Sequence, residues 1–492
     1  MDQPQSGLPS PPSPAVRKPN ANANAVDTNP TRLLAFYGTW KCFLLIVAAA
    51  SPGPGYDTST QILFRQHADT ATSSQSSLTA ILHHIEAKLT RWDAIYFTTS
   101  SQRGLLYEQE WAFSPTYAIA TSTIARIFPF VSTSSITNHA LAGILFSHIA
   151  HYLTAIALYR LAYQLLPSND GEKRRIAFIA SCLHILSPGG LFLSAPYAES
   201  TFAALNFWGS YAYFLHSRSH PRGIAEAIFA ACGLVAAGGC FGAASLIRSN
   251  GILSGLVLAW DAMACLPKIP AIIQQRLWPQ LIQLLGVLTG GVVLACLYAI
   301  PQTSAYLEYC TNGNTRPWCE NVLPSIYTWV QEHYWGVGFL RYWTLSNLPL
   351  FLLAAPMLGV LLLTGYVALT RSELITSTHY ALNHGGKTKP TAGETRAFTH
   401  AMARFALPQV VLAMLALTNF HVQIINRISS GYPVWYIVLA IAMHGAAAAA
   451  PEARKSTPIL NWLSRKSEWI VRGAIMYAVI QGGLYASFMP PA

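Results

Sequence analysis

Long apolar stretches recur from residue 33 to residue 489, and they restrict the fold before any motif is read. Eleven of them, at 33–51, 139–166, 175–195, 199–216, 224–247, 251–266, 279–301, 347–370, 403–420, 434–450 and 470–489, read as membrane crossings. Inside hydrocarbon each backbone N–H and C=O must find a partner within its own segment, so such a run is helical, and a crossing takes about 20 residues. The segments 199–216, 251–266 and 403–420 fall at or below that length. Only 10% of the residues are charged, against roughly a quarter in an ordinary soluble domain, so the chain cannot clothe a large water-facing surface. The fold class expected is an all-α polytopic membrane protein with about 11 transmembrane helices.

Lys and Arg concentrate in short cytoplasmic loops. An N-terminus in the cytosol places 18 of the 31 basic residues on that side and nine on the other, five of the nine being spread over one long loop. The net charge of +11 is then a matter of topology, and nucleic acid is not an expected partner. The chain divides into a disordered cytosolic tail, 1–32, and a multi-span membrane domain, 33–492. Two long lumenal loops, 52–138 and 302–346, are expected, with a polar cytosolic linker at 371–402. The tail lacks the basic-then-apolar build of a cleavable signal, so 33–51 is expected to serve as an uncleaved anchor. Residues 116–131 are apolar too, but a full crossing there would invert every later loop; they are expected to be interfacial or re-entrant.

Six cysteines lie in apolar segments, where they read as small buried hydrophobes. Cys310 and Cys319 differ, because they lie nine apart in a Gly/Asn/Pro-rich loop expected to face an oxidising lumen. That setting suits a disulfide, with two free thiols as the alternative. No Asp-x-Asp, Walker loop, His-Glu-x-x-His or Gly-x-Gly-x-x-Gly motif is found, so neither a metal site nor a soluble nucleotide-dependent mechanism is expected.

Polar clusters gather at the lumenal ends of the crossings: Arg91-Trp92-Asp93 with Glu108; Tyr197 and Glu199; Arg248 and Asn250; His333, Trp335 and Arg341; and His421, Gln423 and Arg427. Ionisable groups at membrane depth are costly unless paired or used, which makes each a candidate. Each also admits a structural role. Glu199 can cap the helix that follows, Arg248 can reach headgroups, Asn250 can make a tight turn, and the aromatic residues of 327–343 can form an interfacial belt.

The stretches RWDAIYF, YEQEWAFSP, LSPGGLFLSAPYAESTFAALNF, SLIRSNG, VQEHYWGVGFLRYW and HVQIINR, in this order, resemble the GPI mannosyltransferase 2 family over about residues 90 to 436. The resemblance implies a GT-C glycosyltransferase fold whose first long lumenal loop carries the catalytic carboxylate, here Asp93, next to Trp92 of the family's Trp-Asp pair. It implies dolichyl phosphate β-mannose as donor and, as acceptor, the α-mannose on glucosaminyl (acyl)phosphatidylinositol. It further implies an α1,6 bond, an endoplasmic reticulum membrane location and a small accessory membrane subunit. Segments 57–85, 371–402 and the tail read as lineage-specific insertions.

Passing from a β-phosphate to an α-glycoside inverts the anomeric carbon, so a single base must deprotonate the acceptor hydroxyl. Asp93 is the candidate. The leaving phosphate needs charge stabilisation, which an arginine fork supplies without metal or cofactor; Arg248, Arg341 and Arg427 are unranked candidates. Glu199 is expected to orient acceptor hydroxyls, and Trp335 or Trp343 to pack on a sugar face. Arg91, Trp92, Glu108, Asn250, His333, His421 and Gln423 complete the substrate-binding set. A transporter or flippase would also carry buried charges, but no internal repeat is found and the polar groups gather at one face. A noncatalytic scaffold would need no carboxylate.

Overall fold

A computed structural model describes residues 30–53, 57–66, 77–130, 135–219, 221–311, 316–370, 391–448 and 458–489, and within them all regular structure is helical. Most of the expected tail (1–29) and of the linker (371–390) lies outside the described residues. The α-helices are α1 Pro30–Ala50, α2 Ser59–Gln66, α3 Ser77–Leu89, α4 Asp93–Arg103, α5 Pro115–Ile127, α6 Ile136–Leu165, α7 Asp170–Ile185, α8 Glu199–Ser217 and α9 Ile224–Ile247. They continue with α10 Gly255–Cys265, α11 Ile269–Gln274, α12 Trp278–Cys310, α13 Ile326–His333, α14 Leu348–Thr370, α15 Ala392–Thr418, α16 Ile425–Ile428, α17 Val434–Ala448 and α18 Pro458–Ala486.

Seven described stretches are long and apolar enough to cross a membrane: Thr31–Ala50, Ile136–Leu165, Ile224–Ile247, Ser249–Gln274, Trp278–Cys310, Leu345–Thr370 and Ala392–Thr418. The protein is thus a multi-pass helical membrane protein, though these helices do not reach the expected count of eleven. The segment 175–195 is not one helix. Its helix, α7, has 16 residues; beyond it Pro188 and Gly190, whose φ is +45°, turn the chain, and a Cβ at Gly190 would lie 3.1 Å from the Ala478 backbone. Helix α17 has only 15 residues, α8 has 19, and α18 carries Arg465, Lys466, Glu468 and Arg472.

Two segments that look short in the sequence are longer as helices. Residues 251–266 belong to a 26-residue helical run. Helix α15 begins inside the expected linker, at Ala392, because Thr391 and Glu394 form a reciprocal capping box: the Glu394 N–H donates to Thr391 Oγ1 at 3.2 Å and the Thr391 N–H to Glu394 Oε2 at 3.1 Å. Helix α5, within the apolar stretch 116–131, has 13 residues and is too short to cross.

A continuous buried core joins α1, α6–α9 and α14–α18. Helices α9 and α12 meet backbone to backbone, since a Cβ at Gly238 would lie 2.3 Å from Gly290 O and one at Gly286 2.6 Å from Ala231 Cα. Small residues at such a seam allow the close approach that membrane helices use in place of a hydrophobic driving force. The seam fixes Arg248, at the end of α9, relative to Tyr298 and Gln302 on α12. At depth, Arg404 of α15 is paired with Asp261 of α10, which also accepts the Tyr213 hydroxyl of α8, so these charges serve packing.

Candidate active site

The backbone is strained one residue before the candidate base. Trp92 has φ +54° and ψ −128°, a conformation that costs a bulky residue about 1–3 kcal/mol and persists only where the surroundings impose it. They do so here. The Tyr485 hydroxyl lies 2.7 Å from Leu89 O and 3.0 Å from Arg91 O, donating to one at a time, and the Tyr197 hydroxyl donates to Arg91 O at 3.4 Å. The Arg91 guanidinium and the Trp92 ring both pack on Phe488, at 4.8 and 5.2 Å from its ring centre. Neither lines the cavity that Asp93 enters; both pack behind the turn that sets its backbone.

Asp93 Oδ2 accepts from Arg427 Nη2 at 2.9 Å. Arg427 lies on α16, in the connection between α15 and α17, and its guanidinium covers the Phe192 and Tyr197 rings at 5.3 and 5.4 Å. Its Nε is 3.2 Å from Glu199 Oε1, and the same oxygen accepts from Arg248 Nη1 at 2.8 Å. Burial opposes the Arg427 charge, but Asp93 and then Glu199 more than offset it, so the guanidinium is held protonated more firmly than an ordinary arginine. Two cations and two carboxylates thus form one chain, Arg248–Glu199–Arg427–Asp93, drawn from four separate parts of the sequence.

A cavity of about 310 Å³ opens on this chain and is lined by Asp93, Arg248, Asn250, Trp335, His421 and Arg427, six of the residues singled out from the sequence. Burial pushes the His421 imidazole below its ordinary value, so it is neutral near pH 7. Asn250 donates to the Tyr432 hydroxyl at 3.1 Å. One wall is aromatic: Tyr96 and Phe113 stack at 4.6 Å, and Trp335 meets Phe113 edge-on at 5.5 Å. Tyr298, Gln302, Tyr327 and Gln331 also line the cavity. Gln302 was missed in the sequence because α12 runs nine residues beyond the expected crossing 279–301 and carries it to the site, and Tyr298 because a tyrosine inside that crossing reads as packing.

The remaining candidates are placed elsewhere. Glu199, expected to orient acceptor hydroxyls, is 1% exposed and does not line the cavity; its carboxylate faces two arginines. Glu108 is buried and accepts from Trp318 Nε1 (2.7 Å), Trp329 Nε1 (3.1 Å) and the Tyr334 hydroxyl (3.2 Å). It thereby joins the two long loops, beside a small core of Trp111, Ala305, Trp318, Ile326 and Val330, and it does not line the cavity. His333 stacks on Trp329 at 4.4 Å. Arg341 lies in an exposed pair with Glu332 at 2.6 Å, Gln423 accepts from the Tyr342 hydroxyl at 3.1 Å, and Trp343 donates to Leu417 O at 2.8 Å. None of these four lines the cavity. Cys310 and Cys319 are bonded, with Cα atoms 5.7 Å apart. Among the described residues no group of three His, Cys, Asp or Glu side chains is arranged to hold a metal ion.

Three comparisons bear on what such a site belongs to. A family model described as Mannosyltransferase (PIG-V) matches residues 33–492. A protein named GPI mannosyltransferase 2 from Aspergillus oryzae is 39% identical over 97% of this chain and 99% of its own length. Proteins of the same name from Gibberella zeae (39% identical; 94% of this chain, 97% of that one) and Schizosaccharomyces pombe (30%; 89% and 79%) are also similar. Among solved structures, the apo oligosaccharyltransferase of Archaeoglobus fulgidus aligns with 92% of this chain and 56% of its own at 14% identity and a TM-score of 0.43. ArnT from Cupriavidus metallidurans bound to undecaprenyl phosphate aligns with 84% and 78% at 14% and 0.37. Likenesses that distant carry no weight beside a sequence match that runs from the first crossing to the last residue, and on that match the chain belongs to the mannosyltransferase (PIG-V) family.

Proposed function

We propose that this enzyme transfers the second mannose, in α1,6 linkage, from dolichyl phosphate mannose to the mannosyl-glucosaminyl (acyl)phosphatidylinositol precursor of GPI anchors. The near full-length similarity to proteins named GPI mannosyltransferase 2 carries the reading of substrate class. The observation that carries the chemistry is one carboxylate, Asp93, lining a single cavity together with two guanidinium groups, Arg427, which is hydrogen-bonded to it at 2.9 Å, and Arg248. Asp93 takes the proton of the acceptor hydroxyl as its oxygen attacks the anomeric carbon from the face opposite the phosphate, and the configuration inverts. Arg248 and Arg427 hold the phosphate oxygens as the sugar–phosphate bond breaks. The aromatic wall of Tyr96, Phe113 and Trp335 gives the apolar face of a mannose a surface to pack on. Asn250 and Gln302 supply hydrogen-bonding groups for its hydroxyls. The family assignment does not favour a transporter or flippase.

The same reading places the cavity on the lumenal side of the endoplasmic reticulum membrane, with residues 1–29 cytosolic and a small accessory membrane subunit as partner. A cysteine at Ser325 is then shielded from an impermeant thiol reagent in sealed microsomes while one at Thr391 reacts; the reverse pattern inverts the topology. Glycolipids from cells lacking the protein, analysed by mass spectrometry, should stall at one mannose and advance when the wild-type chain is restored. Accumulation of a precursor with no mannose, or with two, would overturn the proposed step.

A further inference from the structure

The chain of charges contains one member that the proposed chemistry does not use. Glu199 opens α8, where a carboxylate meets the positive end of the helix dipole, yet it is 1% exposed and its Oε2 has no hydrogen-bond partner among the described residues. A buried carboxylate is retained only with strong compensation. Its compensation is two arginines on one oxygen, at 2.8 and 3.2 Å.

We propose that Glu199 is a positioning residue that shares Arg427 with Asp93, so that Asp93 keeps the basicity needed to deprotonate the acceptor. This rests on the reading of Asp93 as base. With both carboxylates ionised and both arginines charged the cluster is neutral, and a donor phosphodiester brings one negative charge. On transfer the acceptor oxygen–anomeric carbon bond forms, the anomeric carbon–phosphate oxygen bond breaks, the proton moves to Asp93 and the departing prenyl phosphate becomes a dianion. Neutralised Asp93 then releases Arg427 to the phosphate while Glu199 still holds the guanidinium from behind. Without Glu199, Asp93 would be the only counter-ion for two largely buried cations, and its lone pair would be committed to Arg427.

The other groups facing Asp93 do not compete for this role. His421 interacts with it from the connection after α15 but is neutral, and Tyr197 and Tyr485 interact with it as phenols, which are uncharged near pH 7.

The test is a pH–rate profile of purified enzyme with dolichyl phosphate mannose and a synthetic mannosyl-glucosaminyl-phosphatidylinositol acceptor. Glu199→Gln keeps the shape but removes the charge. Surroundings that are more positive favour the ionised form of Asp93, so the acidic limb should move to lower pH, and a weaker base should lower kcat on the order of ten-fold while the donor KM does not rise. Arg248→Met removes a cation, so its residual activity should show the limb moved to higher pH; this opposite shift remains readable if Glu199→Gln does not fold. A raised donor KM with kcat retained or a raised acceptor KM in Glu199→Gln, or a limb unmoved in either variant, overturns the proposal. Asp93→Asn separates the two readings. An acidic limb that persists there removes Asp93 as the base and this inference with it, whereas a limb lost there but unmoved by the other substitutions removes this inference alone.

Discussion

The hydroxyl of Tyr485 lies 2.7 Å from the carbonyl oxygen of Leu89, a contact between residues 396 apart in sequence. Its partner oxygen belongs to the last residue of α3, and the next turn of chain carries Trp92 in its strained conformation and then Asp93. The last described helix thereby acts as a backstop for the first long loop, and it fixes the direction in which the candidate base points.

Tyr485→Phe removes only the hydroxyl. The hydrogen bond is worth about 1 kcal/mol net, which is small against the stability of the bundle but falls on the one turn whose geometry the base depends on. The expected outcome is a fall of about five- to ten-fold in kcat, following the tenfold-per-1.4 kcal/mol relation, with thermal stability little changed. Unaltered kcat in a well-folded variant would mean that the strained turn holds without this clamp.

Asp93→Asn preserves size and the ability to accept from Arg427 but removes basicity. A general base contributes typically about 10² to 10⁴ in rate, so mannosyl transfer should fall by at least about 10² with protein level and donor binding retained. Transfer near the wild-type rate would remove Asp93 from the mechanism.

The helical class, the most apolar crossings and the polar ends of the helices were legible because hydrocarbon leaves the backbone so few choices. Asp93, Arg248, Asn250, Trp335, His421 and Arg427, which line one cavity, drew notice for a related reason, since a polar side chain next to a long apolar run stands out. What the same signal could not do was separate contact with substrate from contact with another side chain. Glu108, Glu199 and Arg341 are ionisable residues in comparable polar clusters of the sequence. Only the fold reveals that three donors from the second loop occupy Glu108, that two arginines occupy Glu199 and that Arg341 lies in a surface pair. Tyr485 gave no sign at all, because a tyrosine in an apolar helix reads as packing. The helix start at Ala392 was hidden by polar composition, although its capping signal, Thr391 followed by Glu394, is present in the sequence.

Glu108 ties the first long loop to the second through Trp318, Trp329 and Tyr334, and the Cys310–Cys319 bond closes the segment that carries one of those donors, Trp318. Glu108→Gln replaces one acceptor oxygen with an amide that faces donors, leaving a buried group unsatisfied at a cost of about 1–3 kcal/mol. Cys310→Ser opens a ring of about ten residues, worth roughly 2–3 kcal/mol by chain entropy. Both variants should melt earlier and transfer mannose more slowly, since Trp111, Tyr327, Gln331 and Trp335 of the cavity wall ride on these loops. If both thiols are free in protein purified without reductant, the covalent half of this account fails.

The two cavity arginines and the surface arginine make a paired prediction about the leaving group. Arg248 and Arg427 face the cavity with their guanidinium groups oriented by Glu199, whereas Arg341 is spent on Glu332 at the surface. A preorganised donor aimed at developing charge is worth about 10² to 10³ in rate, so Arg427→Ala should lower kcat/KM by at least about 10² and Arg248→Ala by a similar or smaller factor, while Arg341→Ala stays near wild type. Because guanidinium groups carry the phosphate in this scheme, transfer by purified enzyme should also survive excess EDTA. Inhibition by EDTA that Mg²⁺ or Mn²⁺ reverses would place a metal on the phosphate, and equal losses at Arg341 and Arg427 would show that the observed losses do not come from the cavity.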